Sequence, residues 1–151
     1  MKILLASDGT KHGDAAADML MKFELSEGDE IHIISVVDMA VPLSIDIYGG
    51  YLPDTAELEK IAKDNAASVL EKATAGMNAA FAKDGVRVTS AVLFGSPDSR
   101  IVETAEETGV DLIVIGSHGY NTWERLLLGS VSDSVVHHAH CSVLIARTPA
   151  E

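Results

Sequence analysis

Cysteine occurs once in the 151 residues, at Cys141, so no internal disulfide can form. Its setting, HCSVLIA, is that of a small buried residue rather than a reactive thiol. Long apolar runs are missing too, and none approaches the ~18 residues that a membrane span requires. The opening MKILLASDGT meets charge and glycine too early for a signal peptide. The expectation is therefore a cytoplasmic protein with no membrane insertion. Basic residues are scarce: Lys and Arg total 11 against 23 Asp and Glu, a formal charge of −12. That field opposes nonspecific contact with nucleic acid or anionic membranes. It also obliges any bound phosphate to be held by local donors.

Several chemical signatures are absent as well. A P-loop needs Lys after its last glycine, but Gly129 is followed by Ser130 and Val131. A dinucleotide fingerprint needs close-set glycines after the first strand, where this chain has Asp8, Gly9 and Thr10. No GxSxG elbow presents a nucleophilic serine. No Walker-type base is apparent, and Arg100 and Arg125 are the candidates for contact with phosphate. His137, His138 and His140 cannot all share one helix face, and no Cys or carboxylate completes a metal spacing with them. His12 and His32 have no evident partners in the sequence.

What the chain does have is a regular alternation of apolar runs and helical patterns. Lys2 to Ser7 reads as a strand running into a turn at Asp8-Gly9-Thr10. Apolar residues at 16, 19, 20 and 23 suggest a helix over 13–25, and Ile31 to Val37 a second strand. A long irregular stretch, 38–54, carries two prolines and two tyrosines, as lids and contact surfaces often do. Thr55 fits an N-cap for a helix reaching Lys83, with Leu58, Ile61, Ala62, Val69, Ala73, Met77, Ala80 and Phe81 on one face. Strands follow at 86–94, 112–115 and 142–146, with helices from Pro97 to Gly109 and from Ser130 to Ala139. In the last helix Val131, Val135 and Val136 are expected to point inward. The pattern is that of one doubly wound α/β domain, with a parallel sheet buried on both faces. Its ligand crevice is expected beyond the carboxyl ends of strands one, two and four.

The stretch from Val114 to Ser134 is the most suggestive. An apolar strand ends at Gly116, Gly119 follows, nine residues intervene, and Gly129-Ser130 opens a helix. The first turn of a helix carries unpaired N–H groups and the positive end of the dipole, a setting that suits phosphate. Glycines at 116, 119 and 129 would permit close approach and positive φ, and Ser130 and Ser132 add hydroxyls. His118, inside the loop, is placed either to touch a phosphate or to fill space. Ordinary turn and cap glycines on a structural loop are the competing explanation.

The spacing Gly116-x-x-Gly119, nine residues, Gly129-Ser130 resembles the nucleotide-binding signature of the universal stress protein family, in its ATP-binding branch. ILLASDGT, EIHIISVVD, GSPDSRIVETAEETGVDLIVIGSHG and HCSVLIAR resemble other segments of the family, so the likeness spans the chain. Ser142 replaces a proline common after the cysteine, and Trp123 and Glu124 stand in a loop that is often more basic. The resemblance implies a single domain over 1–151 and a five-stranded parallel sheet of order 3-2-1-4-5, adenine nucleotide alpha hydrolase-like. It implies ATP, or ADP or AMP, bound by Ala6, Ser7, Asp8, Val36, Ile115, Gly116, Gly119, Gly129, Ser130, Val131 and Ser132. Mg²⁺ would be held through phosphates and water, with no protein ligand. It also implies a homodimer through the last strand (Ser142 to Arg147) and a regulatory protein partner. The function implied is a nucleotide-dependent regulator in the stress response. A slow ATP hydrolase or autophosphorylating protein using the same site is the alternative. A structural module with an empty crevice ranks third.

Overall fold

Alternate residues of the first strand divide the molecule into two cores. In a computed structural model describing residues 1–38, 55–118 and 128–148, that strand is β1 (Lys2–Ala6). After it come α1 (Lys11–Leu20), β2 (Glu30–Val37), α2 (Thr55–Ala80) and β3 (Arg87–Phe94). The order continues with α3 (Pro97–Thr108), β4 (Leu112–Gly116), α4 (Ser130–His138) and β5 (Ser142–Ala146). Ile3 and Leu5 of β1 pack with Ile31, Ile33 and Val114 under α1 and α2. Leu4 and Ala6 face the other way, joining Ile34, Ile113 and Ile115 under α3 and α4. Side chains alternate across a strand, so covering both faces makes the central strands continuously apolar.

All neighbouring strands are parallel, in the order β3-β2-β1-β4-β5. The register sets Ala6 level with Ile34 of β2 and with Ile115 of β4. Connections from β1 lead to one side of the sheet, whereas β4 lies on the other. The carboxyl ends of β1 and β4 thus flank the point where the winding reverses. Burial on both faces holds for the central strands only. β3 is an edge, and Arg87, Thr89, Ser90 and Phe94 on it are exposed.

Helix limits differ from the sequence expectation for local reasons. The first helix begins at Lys11 and not at residue 13, because the Thr10 hydroxyl caps it by accepting from the Gly13 amide at 3.4 Å. It ends at Leu20, since Lys22 and Phe23 donate to the carbonyls of Met19 and Leu20 in tight turns, and Met19 is left exposed. α2 stops at Ala80 and is longer than the sheet is tall. Its 26 residues span about 39 Å at 1.5 Å each, against 8 residues in the longest strand. Leu70, Met77 and Phe81 are buried, whereas Leu58, Ile61 and Ala80 are exposed. In α4 Val135 is fully buried but Val136 is 43% exposed, because consecutive helical residues are turned 100° apart. Cys141 is only partly buried against the α3/α4 core, and desolvation raises its thiol pKa. The irregular stretch lies almost wholly outside the described residues.

Candidate functional site

A cavity of about 620 Å³ opens beyond the carboxyl ends of β1, β2 and β4. The volume is typical of small-molecule sites. Ala6, Ser7 and Asp8 line it from β1, Val36 from β2, and Ile115 and Gly116 from β4. Gly129, Ser130, Val131 and Ser132 supply the wall at the start of α4. The predicted residues thus converge, with one exception: Gly119 lies outside the described residues.

Local hydrogen bonds place each part. Asp8 Oδ1 accepts from the Thr10 amide at 3.0 Å and from the Thr10 hydroxyl at 2.7 Å, so one carboxylate oxygen closes the turn into α1. At the other wall, the Ser117 carbonyl accepts both the Gly129 amide at 2.8 Å and the Ser132 hydroxyl at 2.9 Å. This carbonyl anchors the N-terminus of α4 to the end of β4. The Ser132 hydroxyl is only 2.9 Å from the Gly129 carbonyl as well, so its single proton serves the backbone. The first amide of α4 with a carbonyl four residues back is that of Asp133, which donates to Gly129 at 2.9 Å. Among the described residues no partner stands opposite the amides of Ser130, Val131 and Ser132, the group that a helix start leaves unpaired.

The glycines at this wall serve space rather than backbone sign. Neither Gly116 nor Gly129 has positive φ, contrary to the sequence expectation, and Gly129 has φ −64°. A Cβ on Gly116 would meet the His12 carbonyl oxygen at 2.5 Å. One on Gly129 would lie 3.2 Å from His118 Cα and 3.3 Å from the Ser117 oxygen. Glycine therefore lets three segments meet: α1, the end of β4 and the start of α4.

Two parts of the wall escaped the sequence reading. Ala62, Asn65, Ala66 and Val69 of the α2 overhang cover one side, and Pro97 and Ile101 of α3 contribute from the other. Their only sequence signal is an apolar helical row, identical to that of core packing. His118 lines the cavity, with Nδ1 3.1 Å from the Ser117 hydroxyl. His12, with no evident partner in the sequence, sets its ring beside it at a tilt of 52° and a ring-centroid distance of 5.3 Å. Burial first, then the neighbouring His118 and Lys11, push the His12 pKa below its ordinary value, with Asp8 opposing. His32 also has a partner, the Thr89 hydroxyl at 2.8 Å. Arg100 does not line the cavity; it pairs with Glu103 at 2.7 Å. Arg125 lies outside the described residues. His137 and His138 donate from Nδ1 to the carbonyls of Asp133 and Ser134, each at 2.8 Å, along the exposed end of α4.

A family model described as the universal stress protein family matches residues 1–147. The chain belongs to the universal stress protein family. A universal stress protein of Methanocaldococcus jannaschii is 30% identical over 148 residues, covering 98% of this chain and 82% of that protein. The fold of this family member is shared with solved structures. One is a universal stress protein in complex with cAMP, with TM-score 0.66, 23% identity, and 99% and 98% of the two chains covered. Another is a universal stress protein family protein from Arabidopsis thaliana with AMP bound, at TM-score 0.66 and 17% identity, covering 99% and 93%. Among the described residues of this universal stress protein, no helix is long and apolar enough to cross a membrane.

Proposed function

We propose that this universal stress protein binds an adenine nucleotide, ATP in first place, in the cavity beyond β1, β2 and β4. The observation that carries the reading is the bare amide turn of Ser130, Val131 and Ser132, set in the wall of a cavity of about 620 Å³. Support comes from the close approaches at Gly116 and Gly129 and from the two structural neighbours described with cAMP and with AMP. In this reading Ala6, Ser7 and Val36 meet the base and Asp8 the ribose. Gly116, Gly119 and the start of α4 hold the phosphates, with Mg²⁺ bound to phosphate oxygens and water. The cavity residues suit the phosphates of such a ligand, since the wall offers amides and hydroxyls.

The wider proposal is a single domain over 1–151, in the cytoplasm, acting as a homodimer through β5 whose surface changes with nucleotide occupancy. A ligand biases such an equilibrium only through unequal affinity for the two states. Denaturing freshly purified protein and weighing the released small molecules should yield an adenine nucleotide. Calorimetry should show ATP binding in Mg²⁺. Gly129→Ala should weaken it by about tenfold, or about 1.4 kcal/mol. No nucleotide on release and no heat with ATP, ADP or AMP would overturn the reading.

A further inference from the structure

The cavity wall is poor in positive charge. Asp8 and Asp38 line it, and no Lys or Arg does so among the described residues. Among the described residues, the one imidazole that lines it is that of His118. It lies next to the amide turn, since a Cβ on Gly129 would come within 3.2 Å of His118 Cα. Its ring lies beside that of His12, centroids 5.3 Å apart and planes inclined at 52°. Two ring nitrogens of this pair, His12 Nδ1 and His118 Nε2, are shielded from solvent and have no hydrogen-bond partner among the described residues. Buried polar atoms are rarely left so, because each forfeits the hydrogen bonds it had in water. Two of them on neighbouring imidazoles leave basic capacity that one added proton could occupy.

We infer that His12 and His118 act as a joint proton acceptor beside the anion site, so that the nucleotide's negative charge is taken up together with a proton. The inference rests on the nucleotide reading and adds its regulation by pH. The surrounding charges suit a ligand-gated acceptor. On α1, Lys11 opposes a charge on His12, whereas Asp8 at the end of β1 favours one. From the end of β4, the Ser117 hydroxyl faces His118 Nδ1. Two imidazolium rings at this separation would repel, so the pair holds one proton, not two. Without a ligand, burial disfavours a charge on His12. A polyphosphate at the start of α4 supplies the missing counter-charge. Proton and nucleotide then bind with positive coupling, and by linkage each strengthens the other.

The test is calorimetry of the full chain with ATP and Mg²⁺ from pH 6 to 8, in buffers of different ionisation enthalpy. Wild type should take up a proton on binding, and its affinity should tighten toward low pH, by at most about tenfold per unit. Part of any uptake belongs to the nucleotide, whose terminal phosphate titrates near pH 6. His12→Gln removes one acceptor of the pair without altering a cavity-lining residue, so the uptake that it loses relative to wild type belongs to the pair and not to the ligand. Equal uptake and equal pH slopes in wild type and His12→Gln would overturn the inference. On the wild type alone, ring ¹⁵N spectra should show ATP raising the titration midpoint of one of the two histidines; unmoved midpoints would overturn it too. Absence of ATP binding at every pH would overturn the nucleotide reading itself, a distinct result.

Discussion

Asp98 shows how one side chain can close the start of one helix and tie it to the middle of another. Its Oδ1 accepts from the Ser96 hydroxyl at 2.6 Å and its Oδ2 from the Ser134 hydroxyl at 2.8 Å. The first bond closes the entry to α3, and the second ties α3 to α4 just below the cavity. These hydroxyls, Ser96 foremost and Ser134 next, lower the Asp98 pKa from its ordinary value of 3.8. A carboxylate depressed by folding adds stability above its unfolded pKa, and that stability is lost as pH falls through the folded value. Asp98→Ala should therefore cost roughly 1–2 kcal/mol near neutrality. Urea unfolding should show the gap between variant and wild type narrowing below about pH 4. Ser134 also illustrates what spacing conceals, because it stands 36 positions from its carboxylate partner. The turn role of Asp8 was legible, since its partner is two residues away.

Among elements, β5 has an unpaired edge within the described residues and α2 an overhang, and both bear on function. The Ser117 amide donates to the Ala146 carbonyl, so Ser142, Leu144 and Ala146 turn their backbone groups toward β4. Val143, Ile145 and Arg147 then direct theirs to the open edge. Val143, Leu144 and Ile145 are only half-buried, as suits a strand awaiting a partner. Val143→Pro removes an outward N–H and leaves the bonds to β4 in place. If the proposed dimer forms through this edge, sedimentation should show dimer for wild type and monomer for the variant, with the circular dichroism of the sheet retained; a persistent dimer would exclude this edge. The overhang of α2 was not legible. Apolar spacing identifies a helical face but not where the sheet beneath it ends, so Leu58 and Ile61 looked like core and are exposed. The strands were easier, because β1 and β4 are apolar at nearly every position, β2 is mostly so, and turn residues bound them.

At the scale of the whole molecule the dominant quantity is the charge of −12. The proposed nucleotide would approach against that field and be held by local contacts, the amide turn foremost. Raising salt from about 0.01 M to about 0.15 M shortens the Debye length from about 30 to about 8 Å, which screens the distant carboxylates more than the contact itself. The association rate of a fluorescent ATP analogue should rise over that range in stopped-flow measurements; a falling rate would mean that a local positive field steers binding. The sign of this global field, the alternation of strands and helices, the parallel sheet and the glycine-bounded loop were all determined by the sequence, through composition and periodicity along the chain. Only the tertiary structure decided that the His12 and His118 rings would be neighbours, that Gly116 and Gly129 were required for space, and that α2 would wall the cavity. Local conformation follows from neighbouring residues. Those contacts join segments whose separation is set by how helices pack across a sheet, a distance that no spacing in the chain records.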